Sequence, residues 1–302
     1  MSRDDLLECV PNLSEGRDPS LLGRLAAVAG PGLLDVHTDP DHHRSVFTLA
    51  GPDVEEAIRA LARLAVADLD LSAHAGVHPR LGVIDVVPFV PLAVVPLAVV
   101  PPAVGAGAAD GAGQAVRVGG DGAAGLGSAL GARDRFASWA AEELGLPCFL
   151  YGPERSLPEV RRRAFRDLAP DIGPEQPHPR AGAVAVGARG VMVAYNLWLE
   201  DQSSDTARSL AARLRNPQVR ALGFDLNGRA QLSFNLIDPL RTGPAEVYDR
   251  AVELGARIER AEVVGLVPAA LLEQIPSGRW AQLDLRPEAT IEARLEGRTR
   301  SG

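Results

Sequence analysis

The sequence predicts an α+β fold made of two ferredoxin-like modules, each running β-α-β-β-α-β. Two observations carry this. The first ninety residues alternate strand-like and helix-like segments in that order, and the order returns between residues 191 and 267. A third agrees: 302 residues are long for one core, and two domains of roughly 100–180 residues are the default.

The elements follow in order. "LLECVPNL" is an apolar strand candidate. Asp18 can cap a helix over residues 19–29, with Pro19 at the first helical position, where its missing N–H is harmless. "LLDVH" (33–37) and "SVFTLAG" (45–51) read as strands split by the polar turn "TDPDHHR". Pro52 and Asp53 open a helix to about residue 69, with Val54, Ala57, Ile58, Leu61 and Leu64 at helical spacing. "GVIDVVPFV" closes the first module as a strand.

In the second copy, residues 191–199 form a strand and Ser204 or Asp205 starts a helix to about residue 215. Segments 219–226 and 230–238 flank Asn227-Gly228, a strong hairpin signal. A helix over 244–257 and a strand over 261–267 complete the unit. Between the modules lie a helix and strand over 136–152, a short helix over 157–165, and the loop "APDIGPEQPHPRAG". That loop, rich in proline and glycine, is a natural joint. The expected division is residues 1–180, 181–288 and a charged tail, 289–302. A poorly ordered low-complexity insertion is expected at about 91–131, where "PLAVV" occurs twice in succession.

Composition excludes several classes. A net charge of −8 argues against a general nucleic-acid binder. Two cysteines, Cys9 and Cys148, make no disulfide framework or zinc motif, and a reduced cytoplasmic setting fits. The start "MSRDDLLECV" has no apolar stretch of the signal-peptide kind. Residues 86–109 carry no charge, but five prolines interrupt them. Each costs a helix about 3 kcal/mol or more, so no membrane helix is expected.

Four motifs carry candidate chemistry. In "HAGVHPRLGVIDVVPFV", His74 and His78 stand four apart. A metal pair at that spacing needs a helix, which Gly76 and Pro79 oppose, so no metal is expected. The pair is then either surface loop histidines, or the loop delivers His78 ahead of a rigid strand as an acid–base group, with Arg80 nearby for an anion. In "VPNLSEGRD", Asn12, Ser14 and Glu15 sit at a strand-to-helix turn. They serve either as plain turn and cap residues or, with free backbone N–H groups, as carboxylate ligands. "HTDPDHHRS" gathers His37, Asp39, Asp41, His42, His43 and Arg44 into one turn, a solvated hairpin tip or, on a weak signal without defined ligand spacing, a metal-binding cluster. In "DIGPEQPHPRAG", prolines stiffen a loop carrying His178 and Arg180, which is either a rigid linker or a binding loop that loses little on ordering.

These motifs together resemble the formiminotransferase family. "ECVPNLSEGRD", "LLDVHTDPDHHRSVFTLAGP", "HAGVHPRLGVIDVVPFVP", "AEELGLPCFLYG", "APDIGPEQPHPRAGAVAVGAR", "VAYNLWL", "LSFNLID" and "EVVGLVP" occur in the family's order from Glu8 to Pro268. No counterpart of the cyclodeaminase half of bifunctional members is expected within these 302 residues. The resemblance implies a ligand cleft between the two subdomains, and a homodimer. It implies transfer of the formimino group of N-formimino-L-glutamate to N5 of tetrahydrofolate, a co-substrate, in histidine degradation and one-carbon metabolism. The family's catalytic histidine falls on His78. Its folate-binding loop falls on Gly173, Pro174, Glu175, Gln176, Pro177, His178, Pro179, Arg180, Ala181 and Gly182. Arg44, Arg80 and Arg180 are candidates to pair with carboxylates, because guanidinium forks fit them bidentately. Asn196 and Asn235 would present polar groups from the second module. Formyl transfer from N-formylglutamate, or folate binding without catalysis, are the alternatives. The stretch after Pro91 is longer than the family's usual connection.

Overall fold

The computed structural model describes residues 6–74, 80–92, 94–96, 114–116 and 125–299. His78 and most of the expected insertion lie outside the described residues. The first module is one sheet. Leu7–Cys9 (β1) and Asn12–Leu13 (β2) form an interrupted central strand between Arg44–Ala50 (β4) and Ile84–Pro91 (β5), antiparallel to both. Leu33–Asp39 (β3) pairs with β4 at the edge. This is the ferredoxin-like arrangement, with the first and last strands of the unit adjacent. Pro19–Ala29 (α1) and Val54–Asp68 (α2) supply its helices. Asp18 caps α1 as expected, accepting from the backbone N–H of Ser20 and Leu21 at 2.9 and 3.1 Å.

The sheet is then extended. Val94–Pro96 (β6) and Gln114–Val116 (β7) pair with each other. Leu126–Leu144 (α3) leads to Cys148–Tyr151 (β8), and Leu157–Arg163 (α4) precedes Val184–Ala188 (β9). β9 lies between β5 and β8, parallel to both. Gly187 pairs with Tyr151, and a Cβ there would stand 2.1 Å from the Tyr151 ring. The strand is therefore built from small residues that let an aromatic ring cross it. Sequence reading assigns no strand here. The expected division at residue 180 also cuts β9 away from its hydrogen-bond partners. α3 begins at Leu126, inside the segment expected to be an insertion.

Side chains alternate along these strands. Phe47, Leu49, Val87 and Phe89 point to the helices, where they pack with Leu25, Ile58, Leu61 and Phe136. Val10, Asn12, Val46, Val86 and Pro88 take the opposite face and line a cavity.

The second module has four antiparallel strands, in the order Val219–Leu226 (β11), Arg229–Leu236 (β12), Val193–Leu199 (β10), Ile258–Val264 (β13). Ser204–Leu214 (α5) and Pro244–Glu253 (α6) complete the same unit. Asn227 and Gly228 turn the β11–β12 hairpin with φ of 55° and 83°. Two positive values in succession are what the right-handed strand twist asks of a two-residue turn. The expected charged tail is in part a helix. After Ala269–Glu273 (α7), Ile291–Thr299 (α8) buries Ile291 with Leu34, Ala50, Leu92 and Leu266, and Leu295 packs on this cluster. The i, i+4 apolar pair outweighs the charges around it.

Candidate active site

The sheet faces turned away from α1, α2 and α3 in the first module, and the facing residues of the second, line one cavity of about 500 Å³, to which α4 also contributes. From the first module come Glu8, Asn12, Arg44, Thr48, Tyr151 and Arg161; Arg189 follows β9. From the second come Asn196, Arg215, Asn216, Arg220, Ser233 and Asn235. Five arginines face one carboxylate, so the cavity is strongly cationic within a chain of net charge −8. A focused field of this kind gathers anionic ligands. Of the residues expected from sequence, it brings together Asn12, Arg44, Asn196 and Asn235. Asn196 is also held by Glu262, to which its Nδ2 donates at 3.1 Å. Asn12 donates to the Val10 carbonyl at 3.2 Å.

A second constellation flanks the Arg44 end. Arg80 Nη1 lies 2.6 Å from His74 Nδ1, and its Nη2 donates to the His42 carbonyl at 3.3 Å. His74 Nε2 stands 3.0 Å from the His43 carbonyl. Arg80 Nη1 also lies against His74 Nε2, and a guanidinium only donates, so it faces a neutral imidazole with an acceptor to offer. Burial, then the Arg80 charge, holds its pKa below the usual histidine value. Burial likewise lowers His43, against the pull of Glu15. Arg44 is buried and pushed down by desolvation; Asp85 and Asp39 oppose this, while Arg161 and Arg80 add to it. Asp85 is the anchor of this end. It is 2 % exposed and takes both terminal nitrogens of Arg161, at 2.5 and 3.1 Å, and the Leu81 N–H at 2.7 Å.

Other expected residues hold structure around the site. Glu15 Oε1 accepts the N–H groups of Gly16, Arg17 and Asp18 at 2.8, 2.6 and 2.9 Å, which fixes the turn into α1. Ser14 donates to the Gly82 carbonyl at 2.8 Å. Asp39 accepts the His42 N–H at 2.8 Å. His37 lies 3.8 Å from Glu262 of the second sheet. None of these four lines the cavity.

No residue of the 173–182 loop lines the cavity either; the loop packs on residues 70–71 and 81–82. His178 and Gly182 exchange two backbone hydrogen bonds, at 2.8 and 2.9 Å, and His178 Nδ1 accepts the Ala181 N–H at 2.9 Å. Arg180 Nε donates to Asp70 at 3.2 Å, and its carbonyl accepts the Leu71 N–H at 2.8 Å. Gly182 has φ +73°, and a Cβ there would stand 2.3 Å from the Leu81 carbonyl oxygen. Only glycine lets the loop run against the strand entrance at residues 81–82. Among the described residues, no cluster of His, Cys, Asp and Glu has the arrangement of a metal site, and no helix is long and apolar enough to cross a membrane.

The formiminotransferase domain, N-terminal subdomain, matches residues 6–118 and 122–189. The chain is also 32% identical over 299 residues to the glutamate formimidoyltransferase of Streptococcus pyogenes serotype M1, covering 88% of this chain and 90% of that protein. The chain belongs to the formiminotransferase family. Identity to the glutamate formimidoyltransferase of Thermoplasma acidophilum is also 32%, covering 88% and 89%. The formimidoyltransferase-cyclodeaminase of Sus scrofa is 32% identical as well, but this chain spans only 51% of it.

Sequence reading of this formiminotransferase missed Glu8, Thr48, Arg161, Arg189, Arg215 and Arg220. Three arginines, Arg161, Arg215 and Arg220, are scattered among ordinary surface-type charges on separate elements. Strand alternation from Asn12 through Val10 does place Glu8 on the same face, and that signal was readable.

Proposed function

We propose that this chain is a glutamate formimidoyltransferase, moving the formimino group of N-formimino-L-glutamate to N5 of tetrahydrofolate. One observation carries the reading: the match to relatives of that name spans nearly their whole length. The cavity supports it chemically. Donor and acceptor each carry glutamate carboxylates, and Arg44, Arg189, Arg215 and Arg220 line the cavity with guanidinium groups for them.

In this reading both substrates share the inter-sheet cavity, which supplies proximity. N5 attacks the amidine carbon and forms the new C–N bond. His78 takes the N5 proton and returns it to the glutamate nitrogen as the old C–N bond breaks. One side chain thus serves as base and then acid, and no proton is left over. Arg80 follows two residues later and holds an anionic group at that end. The 173–182 loop, stiffened by three prolines, closes over the folate. We place the division between subdomains after β9, near residue 189, a boundary supported by strand pairing and by the matched span. We further propose a cytoplasmic homodimer, checked by sedimentation.

Mixing the protein with tetrahydrofolate and formiminoglutamate tests the function through the product's absorbance, with N-formylglutamate as a parallel donor. Rapid turnover is expected with the formimino donor. A folded His78→Ala variant should lose about 10²–10⁴-fold in rate, the range for a positioned acid–base group. Near-wild-type turnover of that variant would remove His78 from the mechanism.

A further inference from the structure

Glu8 is the one carboxylate among the described residues that line the cavity. It is 4 % exposed, and among the described residues its carboxyl makes no hydrogen bond or ion pair. Arg189 and Glu292 act on it only through their fields, in opposite directions. Beside it Thr48 Oγ1 is also buried without a hydrogen-bond partner among the described residues. The two sit on neighbouring strands of the same face: Glu8 pairs with Ala50, two residues from Thr48. Buried polar groups of this kind are costly unless something completes them. Two carboxylate oxygens are completed best by two parallel N–H donors.

On the functional reading above, one ligand of this cavity carries such a fork. The pyrimidine ring of the pterin presents its 2-amino group and N3–H side by side. We propose that Glu8 binds this edge of tetrahydrofolate, with the Thr48 hydroxyl as a further contact to the ring. The register gives the orientation. Glu8 and Asn12 face Ala50 and Val46, four residues apart, or about 13 Å along the strand. A pterin gripped at its pyrimidine edge by Glu8 therefore turns N5, on its other ring, towards the Asn12–Arg44 end. That is the end beside Arg80. Burial raises the Glu8 pKa to about 7. The carboxyl thus has a neutral form to adopt in the free protein, and two N–H donors from the ligand draw out the ionised one.

The test is a binding titration without donor, using tetrahydrofolate and its 2-desamino-2-methyl analogue. Wild type should bind the analogue about 10-fold or more weakly, the loss expected when a charge-assisted hydrogen bond goes unmade. Glu8→Gln should bind tetrahydrofolate more weakly and discriminate little between the two ligands, because the interaction is already gone. Equal affinity of the wild type for both ligands would overturn the assignment without any variant. So would a Glu8→Gln variant that keeps the full preference. Because binding is read without the donor, a wild type that binds but never transfers overturns the functional reading instead and leaves this comparison standing.

Discussion

At the residue scale, charge in the cavity is governed by burial. Glu8 has its pKa raised by desolvation from an ordinary 4.5 to about 7. Between those values the folded state holds a proton that the unfolded state has released. The stabilisation is fully present below about pH 4.5 and is lost as pH rises through about 7, an effect of about 3 kcal/mol. Urea unfolding of the ligand-free protein at pH 5 and pH 8 should therefore show a fall that Glu8→Gln flattens; identical slopes would refute it. His74 behaves oppositely. Burial and the Arg80 charge depress its pKa, which favours the neutral imidazole against that guanidinium. Of two residues singled out by motif, Glu15 is spent on the turn into α1, and Ser14 ties that turn to the distant Gly82 carbonyl. The turn explanation available from the sequence describes what the Glu15 side chain touches, but not the long-range contact of Ser14.

At the element scale, long periodic segments were legible. α1 follows from capping and apolar spacing, α2 from apolar spacing, and the β11–β12 hairpin from Asn227-Gly228. β9 was not, because "AVAVGA" is short, made of small residues and next to a proline-rich loop. Its strand character comes from two neighbours, β5 and β8, that hydrogen-bond it on both sides. α8 was read as tail because charges dominate it, yet Ile291 is 1 % exposed. Ile291→Ala should destabilise the protein by about 2–5 kcal/mol, the range for emptying a buried aliphatic site. Urea denaturation measures this, and a change under about 0.5 kcal/mol, typical of surface positions, would show that the helix is dispensable.

At the scale of the molecule, turn residues 39–43 of the first module reach the β11–β12 hairpin of the second. His42 Nε2 and Gln231 Oε1 are 3.0 Å apart and buried, and Asn227 donates to Asp41 at 2.9 Å. A double-mutant cycle on His42→Ala and Gln231→Ala should give a coupling of about 0.5–1.5 kcal/mol, and additive losses would deny the contact. Local chemistry written in the chain determined both β-α-β-β-α-β units, the motif order of the family and the candidates His78 and Arg80. Only the tertiary structure decided which arginines share a cavity, since Arg161, Arg189, Arg215 and Arg220 are brought together by two sheets folding face to face. It also decided that Glu8 is alone among them. Periodicity and capping act within a few residues, so one strand's sequence carries them. A cavity's charge is a sum over elements far apart in the chain, and packing performs that sum.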